Sequence, residues 1–190
     1  MTESIRTGHR IWTTSDWHLG HRKIRVYCPS RPEDHEEVIL SNYVAEVRAE
    51  DTVYFLGDMV LRWGAEGKEW WRRIRELPGR KVLVRGNHDH GSAQKLADLG
   101  GFSEVWAEMV GLTTSAGHKL LLSHVPMVVT PFDDRYNGWR RRVRTEFETG
   151  GYVLNIHGHT HERNTDDTQC QNVSVENTEF KPALIDVIHG

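Results

Sequence analysis

Five short apolar runs along the chain each end in residues of metal-binding type. The runs are rich in Val, Ile, Leu and aromatic side chains, which is typical of buried β-strands. They cover residues 10–15, 52–56, 81–85, 119–123 and 152–156. In an open α/β sheet, ligands bind beyond the carboxyl ends of the strands. The pattern therefore predicts one site that collects residues from five strand ends distant in sequence.

The intervening segments alternate between helical and extended patterns. Apolar residues recur at helical spacing over 33–47 and 65–77, and a short helix is predicted over 92–99. The second half favours strands, with 104–115 and 119–123 joined as a hairpin. Two closing strands are predicted over 172–176 and 183–188, and the long connection 125–151 is expected to be helical near 139–147.

These elements predict an α/β fold of the α+β type, with a two-sheet β-sandwich core flanked by helices. At 190 residues the chain is long enough for one compact domain, which we expect to span 1–190. We find no internal repeat and no low-complexity tract. No feature of the sequence requires a dimer, so a monomer and a homodimer both stay open.

Composition favours neither a nucleic acid nor a membrane as a partner. The formal net charge is −3, which gives no overall attraction to nucleic acid or to an anionic membrane. No apolar run reaches the length of a membrane span, and the first residues lack the apolar region of a signal peptide, so a cytoplasmic protein is expected. Cys28 and Cys170 form no CxxC pair and are predicted to be reduced thiols.

The residues that follow the five runs are those that bind transition metals. The chain contains 12 histidines, and five of them stand in these strand-end motifs. Mixed nitrogen and oxygen ligands without cysteine suit Mn, Fe, Co, Ni or Zn better than Ca. Any one of these residues alone would more often be a cap or a surface group. The candidates are Asp16, His18, Asp58, Asn87, His88, Asp89, His124, His159 and His161.

The motifs Asp16-x-His18, Gly57-Asp58, GNHD at 86–89, His124 and GHTH at 158–161 resemble those of the calcineurin-like metallophosphoesterases, in the same order. Segments 15–32 and 172–176 are similar to the small single-domain bacterial and phage members. The resemblance implies the calcineurin-like fold and two divalent transition-metal ions, with Mn favoured. It also implies hydrolysis of phosphate esters by attack of a metal-bound hydroxide.

The resemblance assigns a role to each motif residue. Asp58 would bridge the two ions, because a carboxylate can offer one oxygen to each. Asp16, His18 and His161 would complete the first metal site, and Asn87, His124 and His159 the second. His159 and His161 alternate along a segment expected to be extended, so they could point to different ions. His88 would contact phosphate and act as general acid, and Asp89 would orient it.

Other polar residues have weaker claims on the substrate. His21 follows the first motif and could contact phosphate or simply bond to backbone. Arginines crowd the connection after His124, where Arg135 and Arg140 are candidates for phosphate contact and the rest are expected on a solvated helix face. Arg62, four residues after Asp58, is a further candidate for phosphate contact. His157 is expected to pack near the site rather than to bind metal.

The favoured function is a phosphodiesterase that acts on small phosphorylated substrates, such as cyclic nucleotides. The alternatives are a phosphomonoesterase or a nucleotide pyrophosphohydrolase, which would use the same chemistry. A nuclease acting on DNA or RNA ends is possible but not favoured, because only the arginine-rich connection supports it. A scaffold that has lost its metals ranks last, because every expected ligand is present.

Overall fold

Two five-stranded sheets pack face to face in the computed structural model, which describes residues 3–4, 10–61, 64–128 and 135–185. The strands are β1 (Glu3–Ser4), β2 (Ile11–Thr14), β3 (Thr52–Phe55), β4 (Arg80–Val84), β5 (Glu104–Trp106), β6 (Met109–Thr113), β7 (Lys119–Ser123), β8 (Leu154–His157), β9 (Cys170–Asn172) and β10 (Ala183–Leu184). The helices are α1 (Ile24–Tyr27), α2 (His35–Glu46), α3 (Gly64–Glu76), α4 (Ala93–Gly100) and α5 (Asn137–Gly150), with a 3₁₀ turn at Val175–Asn177.

Most neighbouring strands are parallel. One sheet has the order β10-β2-β3-β4-β5, in which only β10 runs antiparallel to its neighbour. The other has the order β1-β6-β7-β8-β9, with β6 and β7 antiparallel. The carboxyl ends of β2, β3 and β4 therefore share one edge, as do those of β7 and β8.

Three apolar layers hold the sheets and helices together. Alternate residues such as Tyr54 and Val82 from one sheet meet Leu120 and Ile156 from the other, which forms the core of the sandwich. The opposite face of the first sheet packs against α2, α3 and α4, and that of the second sheet packs against α5. The predicted fold class is thus confirmed, including the helices on the outside.

Two predicted strands differ from the structure. The run 104–115 was expected to be one strand, but β5 pairs with β4 in one sheet and β6 pairs with β7 in the other, so the chain crosses between sheets. The closing strand 172–176 ends early, because β9 stops at Asn172 and the 3₁₀ turn begins at Val175. Residues 186–188 of the last predicted strand lie outside the described residues.

Candidate metal centre

The predicted ligands lie just beyond strands, in a backbone conformation that is rare for side-chain-bearing residues. Seven non-glycine residues in the described ranges have positive φ, and five of them are predicted ligands. Asp and His tolerate this left-handed region better than most residues, but it still costs energy. The surrounding structure must therefore hold them in place. The five are Asp16 (φ 59°), His18 (50°), Asp58 (57°), His159 (69°) and His161 (50°).

Two glycines allow the ligand loops to approach one another. A Cβ built at Gly86 would collide with the backbone and side chain of Asp58. A Cβ at Gly158 would likewise collide with Ser15 Oγ and Asp16 Oδ2. The absent side chains at these two positions are what permits the close packing of loops from different strands.

The first ligand group consists of Asp16, His18 and His161. The Nε2 atom of His18 lies 3.7 Å from Asp16 Oδ1, and that of His161 lies 3.8 Å from the same oxygen. Their two rings have centroids 5.0 Å apart. Asp16 and His18 are buried. The three side chains thus surround one point with an oxygen and two nitrogens.

The second ligand group consists of Asn87, His124 and His159. His124 Nε2 lies 3.0 Å from Asn87 Oδ1 and 3.2 Å from His159 Nδ1. The other ring nitrogen of His124 is 2.7 Å from the carbonyl oxygen of Leu56, which can accept its proton and leave Nε2 for a metal. This group also presents one oxygen and two nitrogens to a common point.

Asp58 lies between the two groups. Its Oδ2 atom is 3.6 Å from His18 Nε2 and 3.5 Å from His124 Nε2, while Oδ1 accepts a hydrogen bond from the backbone N–H of His88 at 2.8 Å. Burial, with added repulsion from Asp89 and Asp16, raises the pKa of Asp58 to about 7 despite the opposing His124. A bound cation would favour the charged form instead.

The residues fit a divalent transition metal. Asp16 Oδ1 and both ring nitrogens of His18 are buried without a hydrogen bond. Buried polar atoms in folded proteins nearly always have a partner. A cation between Asp16 Oδ1 and His18 Nε2 would supply a partner to both of these atoms. The sulfur-free donor set of the two groups suits Mn, Fe, Co, Ni or Zn.

His159 and His161 face different groups, but not because their segment is extended. β8 ends at His157, and both histidines stand in a turn with positive φ. His159 reaches His124, whereas His161 reaches Asp16. Left-handed residues in a turn, rather than alternation along a strand, separate the two rings.

His88 stands at the edge of this centre. Its Nε2 atom is 3.9 Å from Asp58 Oδ2, and 41% of its side chain is exposed. Burial, followed by the nearby His124 and His90, lowers its pKa. The ring is therefore close to the bridging carboxylate yet open to the cavity above it.

Asp89 makes contacts other than those predicted for it. Its two oxygens accept hydrogen bonds from the backbone N–H groups of Asp58 (2.8 Å), Met59 (3.1 Å) and Gly86 (2.8 Å). The expectation that it orients the His88 ring is replaced by this set of backbone contacts. Asp89 joins the loop after β3 to the loop after β4, and so fixes the position of Asp58.

A cavity of about 1100 Å³ opens over the centre. Its lining includes His18, Asp58, Asn87, His88, His159 and His161, together with the substrate candidates His21, Arg135 and Arg140. Arg140 is fully buried, whereas Arg142 and Arg144 are exposed and pair with Glu108 and Glu148. Arg141 is exposed as well, so the predicted solvated helix face holds for Arg141, Arg142 and Arg144. Arg62 lies outside the described residues.

His157 packs beneath the site. It is fully buried, and its Nδ1 atom lies 2.9 Å from the carbonyl oxygen of Gly158. Burial lowers its pKa to about 4, so the ring is neutral at ordinary pH. These contacts agree with the packing role expected for it.

Sequence reasoning missed two charged residues that contact the first ligand group. Glu176 Oε1 lies 2.9 Å from His161 Nδ1, and Arg31 bonds to Glu176 and to the carbonyl oxygen of Asp16. Both fall within segments that carried the family resemblance. Nothing in their spacing linked them to His161, because the contacts depend on how β9 and its following turn pack. Although burial opposes it, hydrogen bonds with Cys28 and Glu176 raise the pKa of His161 to about 11.

The fold and the paired ligand groups define a two-metal hydrolase. The chain belongs to the calcineurin-like phosphoesterases, because the model of that family matches residues 9–163. It is therefore a metal-dependent hydrolase of phosphoric esters, of a family that binds two divalent ions. No helix within the described ranges is long and apolar enough to cross a membrane.

Similar proteins come from phages, an archaeon and a bacterium. The Gene 66 protein of Mycobacterium phage D29 is 31% identical over 80% of this chain and 79% of its own. The uncharacterized protein MJ1445 of Methanocaldococcus jannaschii is 28% identical over 94% of this chain and 89% of its own. A solved structure, the protein of unknown function AQ665 from Aquifex aeolicus, aligns with a TM-score of 0.83 and 31% identity over 95% of this chain and 98% of its own.

Proposed function

We propose that this phosphoesterase is a phosphodiesterase for small substrates, such as cyclic nucleotides, with Mn²⁺ the favoured metal. The observation that carries the proposal is the placement of a half-exposed His88 at the bridging carboxylate, beneath a cavity of about 1100 Å³. Such a cavity is large enough for a nucleotide-sized ligand. A diester carries two organic substituents on its phosphate, which need more space than the one of a monoester, and its leaving oxygen needs a proton.

The two ligand groups would each hold one divalent ion, with Asp58 as the bridge. When bound, the ions supply Lewis acidity and an activated water at neutral pH. Asp16, His18 and His161 would hold one ion, and Asn87, His124 and His159 the other. The chain's own part is to fix these donors at strand ends and to keep Asp58 between them.

His88 is suited to give a proton to the leaving oxygen. Its Nε2 atom is 3.9 Å from Asp58 Oδ2, so it faces the place where a phosphate clamped by the ions would lie. Asp89 contributes by holding the neighbouring backbone. It is a positioning residue in this scheme, and His88 is the catalytic residue.

The walls of the cavity supply groups for the remainder of the substrate. Arg135 and Arg140 could bind phosphate oxygens, since a guanidinium group donates to two oxygens at once. The ring of Tyr27 lies 6.0 Å from that of His21, and Tyr136 packs edge-on against His159 at 4.8 Å. These aromatic surfaces suit a nucleobase.

A nuclease is less well supported. The exposed Arg142 and Arg144 pair with Glu108 and Glu148, which reduces their attraction for a phosphate backbone. The net charge of −3 adds no general affinity for nucleic acid. Phosphomonoesterase activity and pyrophosphohydrolase activity are the alternatives that the same metal centre could perform.

The test compares a chromogenic phosphodiester with its monoester on one preparation that has been stripped of metal and reloaded with Mn²⁺. The expected result is a diester preference of the unmodified protein, followed by turnover of cyclic nucleotides, whose basic leaving oxygen makes their hydrolysis depend on His88. His90→Ala is the matched control, because His90 is exposed and its ring lies 6.5 Å from that of His88. A clear monoester preference of the unmodified protein would contradict the proposal.

A further inference from the structure

A buried ion pair lies directly behind the first ligand group. Arg31 Nη2 is 2.7 Å from Glu176 Oε1, and Arg31 Nε donates to the same oxygen at 2.8 Å. The two side chains are 0% and 1% exposed. Burying two charges is costly, and their attraction offsets this only when further hydrogen bonds satisfy them. The further hydrogen bonds of Arg31 and Glu176 therefore indicate the role of the ion pair.

Those bonds lead to two of the three ligands of the first group. Glu176 Oε1 lies 2.9 Å from Nδ1 of His161, whose Nε2 faces Asp16 Oδ1. Arg31 donates to the carbonyl oxygens of Asp16 at 2.5 Å and Trp17 at 2.8 Å, which places the strained turn that carries Asp16. One ion pair thus connects ligands that are distant in sequence.

We propose that Arg31 and Glu176 are positioning residues that set the affinity of the first metal site and not that of the second. Glu176 fixes the orientation of the His161 ring and makes Nε2 a better donor, because a carboxylate behind a metal-binding histidine stabilises the proton on Nδ1. Arg31 neutralises Glu176 and holds the backbone at Asp16. The proposal rests on the metal centre of the proposed function, but not on its substrate.

The same cluster could be considered a separate metal site, since donor atoms of Cys28, His161 and Glu176 lie within 4.8 Å of one another. Arg31 argues against that use. Its guanidinium contacts the same Glu176 oxygen twice and already supplies the positive charge. A cation there would have to displace Arg31 from the carboxylate that it pairs with.

The second ligand group is supported differently. Behind His124 stands the carbonyl oxygen of Leu56 at 2.7 Å, a neutral acceptor on the strand β3 side. A change at Glu176 should therefore leave the second ligand group intact. Weakening of one metal site and not the other is what distinguishes a positioning role from a general loss of stability.

The experiment titrates metal-free full-length protein with Mn²⁺ and follows free Mn²⁺ by electron paramagnetic resonance. In Glu176→Gln, one of the two sites should weaken by about 10- to 100-fold, the range typical of lost second-layer hydrogen bonds to ligands, while the other keeps its affinity. The double variant Arg31→Met/Glu176→Gln avoids a buried unpaired cation, and should show the same selective loss if Glu176→Gln does not fold.

Asp51→Asn is the matched control. Asp51 is also a buried carboxylate paired with an arginine, at 2.7 Å from Arg10, but it precedes β3, whereas Asp58 follows that strand. It should lose thermal stability and keep both Mn²⁺ affinities. Two unchanged affinities in the Glu176 variants, or two equally weakened ones, would overturn the proposal while the metal centre stands. An unmodified protein that binds no Mn²⁺ would refute the proposed function as well.

Discussion

The two ligand groups of the candidate metal centre contain similar donors but are held in place by different forces. In the first group, the ring of His161 is backed by Glu176, whose charge Arg31 balances within the interior. In the second, His124 is backed by the carbonyl oxygen of Leu56, part of the neutral backbone after β3. Two metal sites can therefore share ligand types and still depend on different supporting groups, here a buried ion pair and a backbone carbonyl. Each should therefore respond to its own set of substitutions.

Asp58→Ala should have the largest effect, because it removes the one side chain that both groups share. Its Oδ2 atom lies 3.6 and 3.5 Å from histidines of the first and second group. We expect loss of both metals and a fall in turnover of about 10³-fold or more, as for loss of a principal electrostatic group at an active site. Metal content after dialysis and steady-state rates test this. Retention of both metals at full affinity would refute Asp58 as the bridge.

His88→Ala should keep both metals and slow turnover by about 10²- to 10⁴-fold if His88 is the general acid. The loss should be large for diesters with basic leaving groups and small for nitrophenolate, which departs without a proton. Rates over a leaving-group series, beside His90→Ala, measure this. A loss that is the same for every leaving group would instead indicate phosphate binding.

Single replacements of a histidine from each group would show whether the sites are separable. His161→Ala should lose the ion of the first group and keep that of the second. His124→Ala should lose the ion of the second group and keep that of the first. Metal stoichiometry by mass spectrometry, with the remaining affinity by titration, gives the measurement. If either variant loses both ions together, the two sites bind metal cooperatively and do not depend on separate supporting residues.

The strand ends were predictable because hydrophobic periodicity is local. The runs 52–56, 81–85 and 119–123 correspond to β3, β4 and β7 within a residue, and the polar residues after them do converge. The support behind the ligands was not predictable. The contact between Glu176 and His161 depends on the bridge between Ser15 and Ser174, which no local pattern encodes.

Backbone conformation was a second limit on prediction from sequence. His159 and His161 alternate in sequence just after the apolar run 152–156, so their segment was predicted to be extended. Their positive φ is imposed by neighbours, including the hydrogen bond from the backbone N–H of His159 to Asp16 Oδ2 at 2.8 Å. Such conformations are stabilised by tertiary contacts, so they become visible only once the loops are assembled.

Gly158→Ala should disturb the first group through sterics alone. A Cβ there would meet Ser15 Oγ and Asp16 Oδ2, so the loop must shift. We expect destabilisation of about 1–3 kcal/mol, which is typical of overpacking in a close-packed interior, with weaker metal binding at the Asp16 side. Urea unfolding of the metal-free protein and Mn²⁺ titration report on the two effects. Gly117→Ala serves as a comparison, because a Cβ at Gly117 has open space although its φ of 84° adds strain.

Asp51 gives the smallest expected effect, and one that is independent of metal. Burial would raise its pKa, but hydrogen bonds from Arg10, the backbone of Arg48 and Trp12 lower it from 3.8 to about 2. Because the folded-state pKa lies below the unfolded one, its contribution to stability is present above about pH 4 and is lost as the pH falls towards 2. Asp51→Asn should therefore reduce the free energy of unfolding at neutral pH. As the pH falls from about 4 towards 2, the free energy of unfolding of this variant should decline less steeply than that of the unmodified protein. Urea unfolding of metal-free protein at several pH values measures the slope. Equal slopes in both proteins would show that Asp51 ionises normally in the folded state.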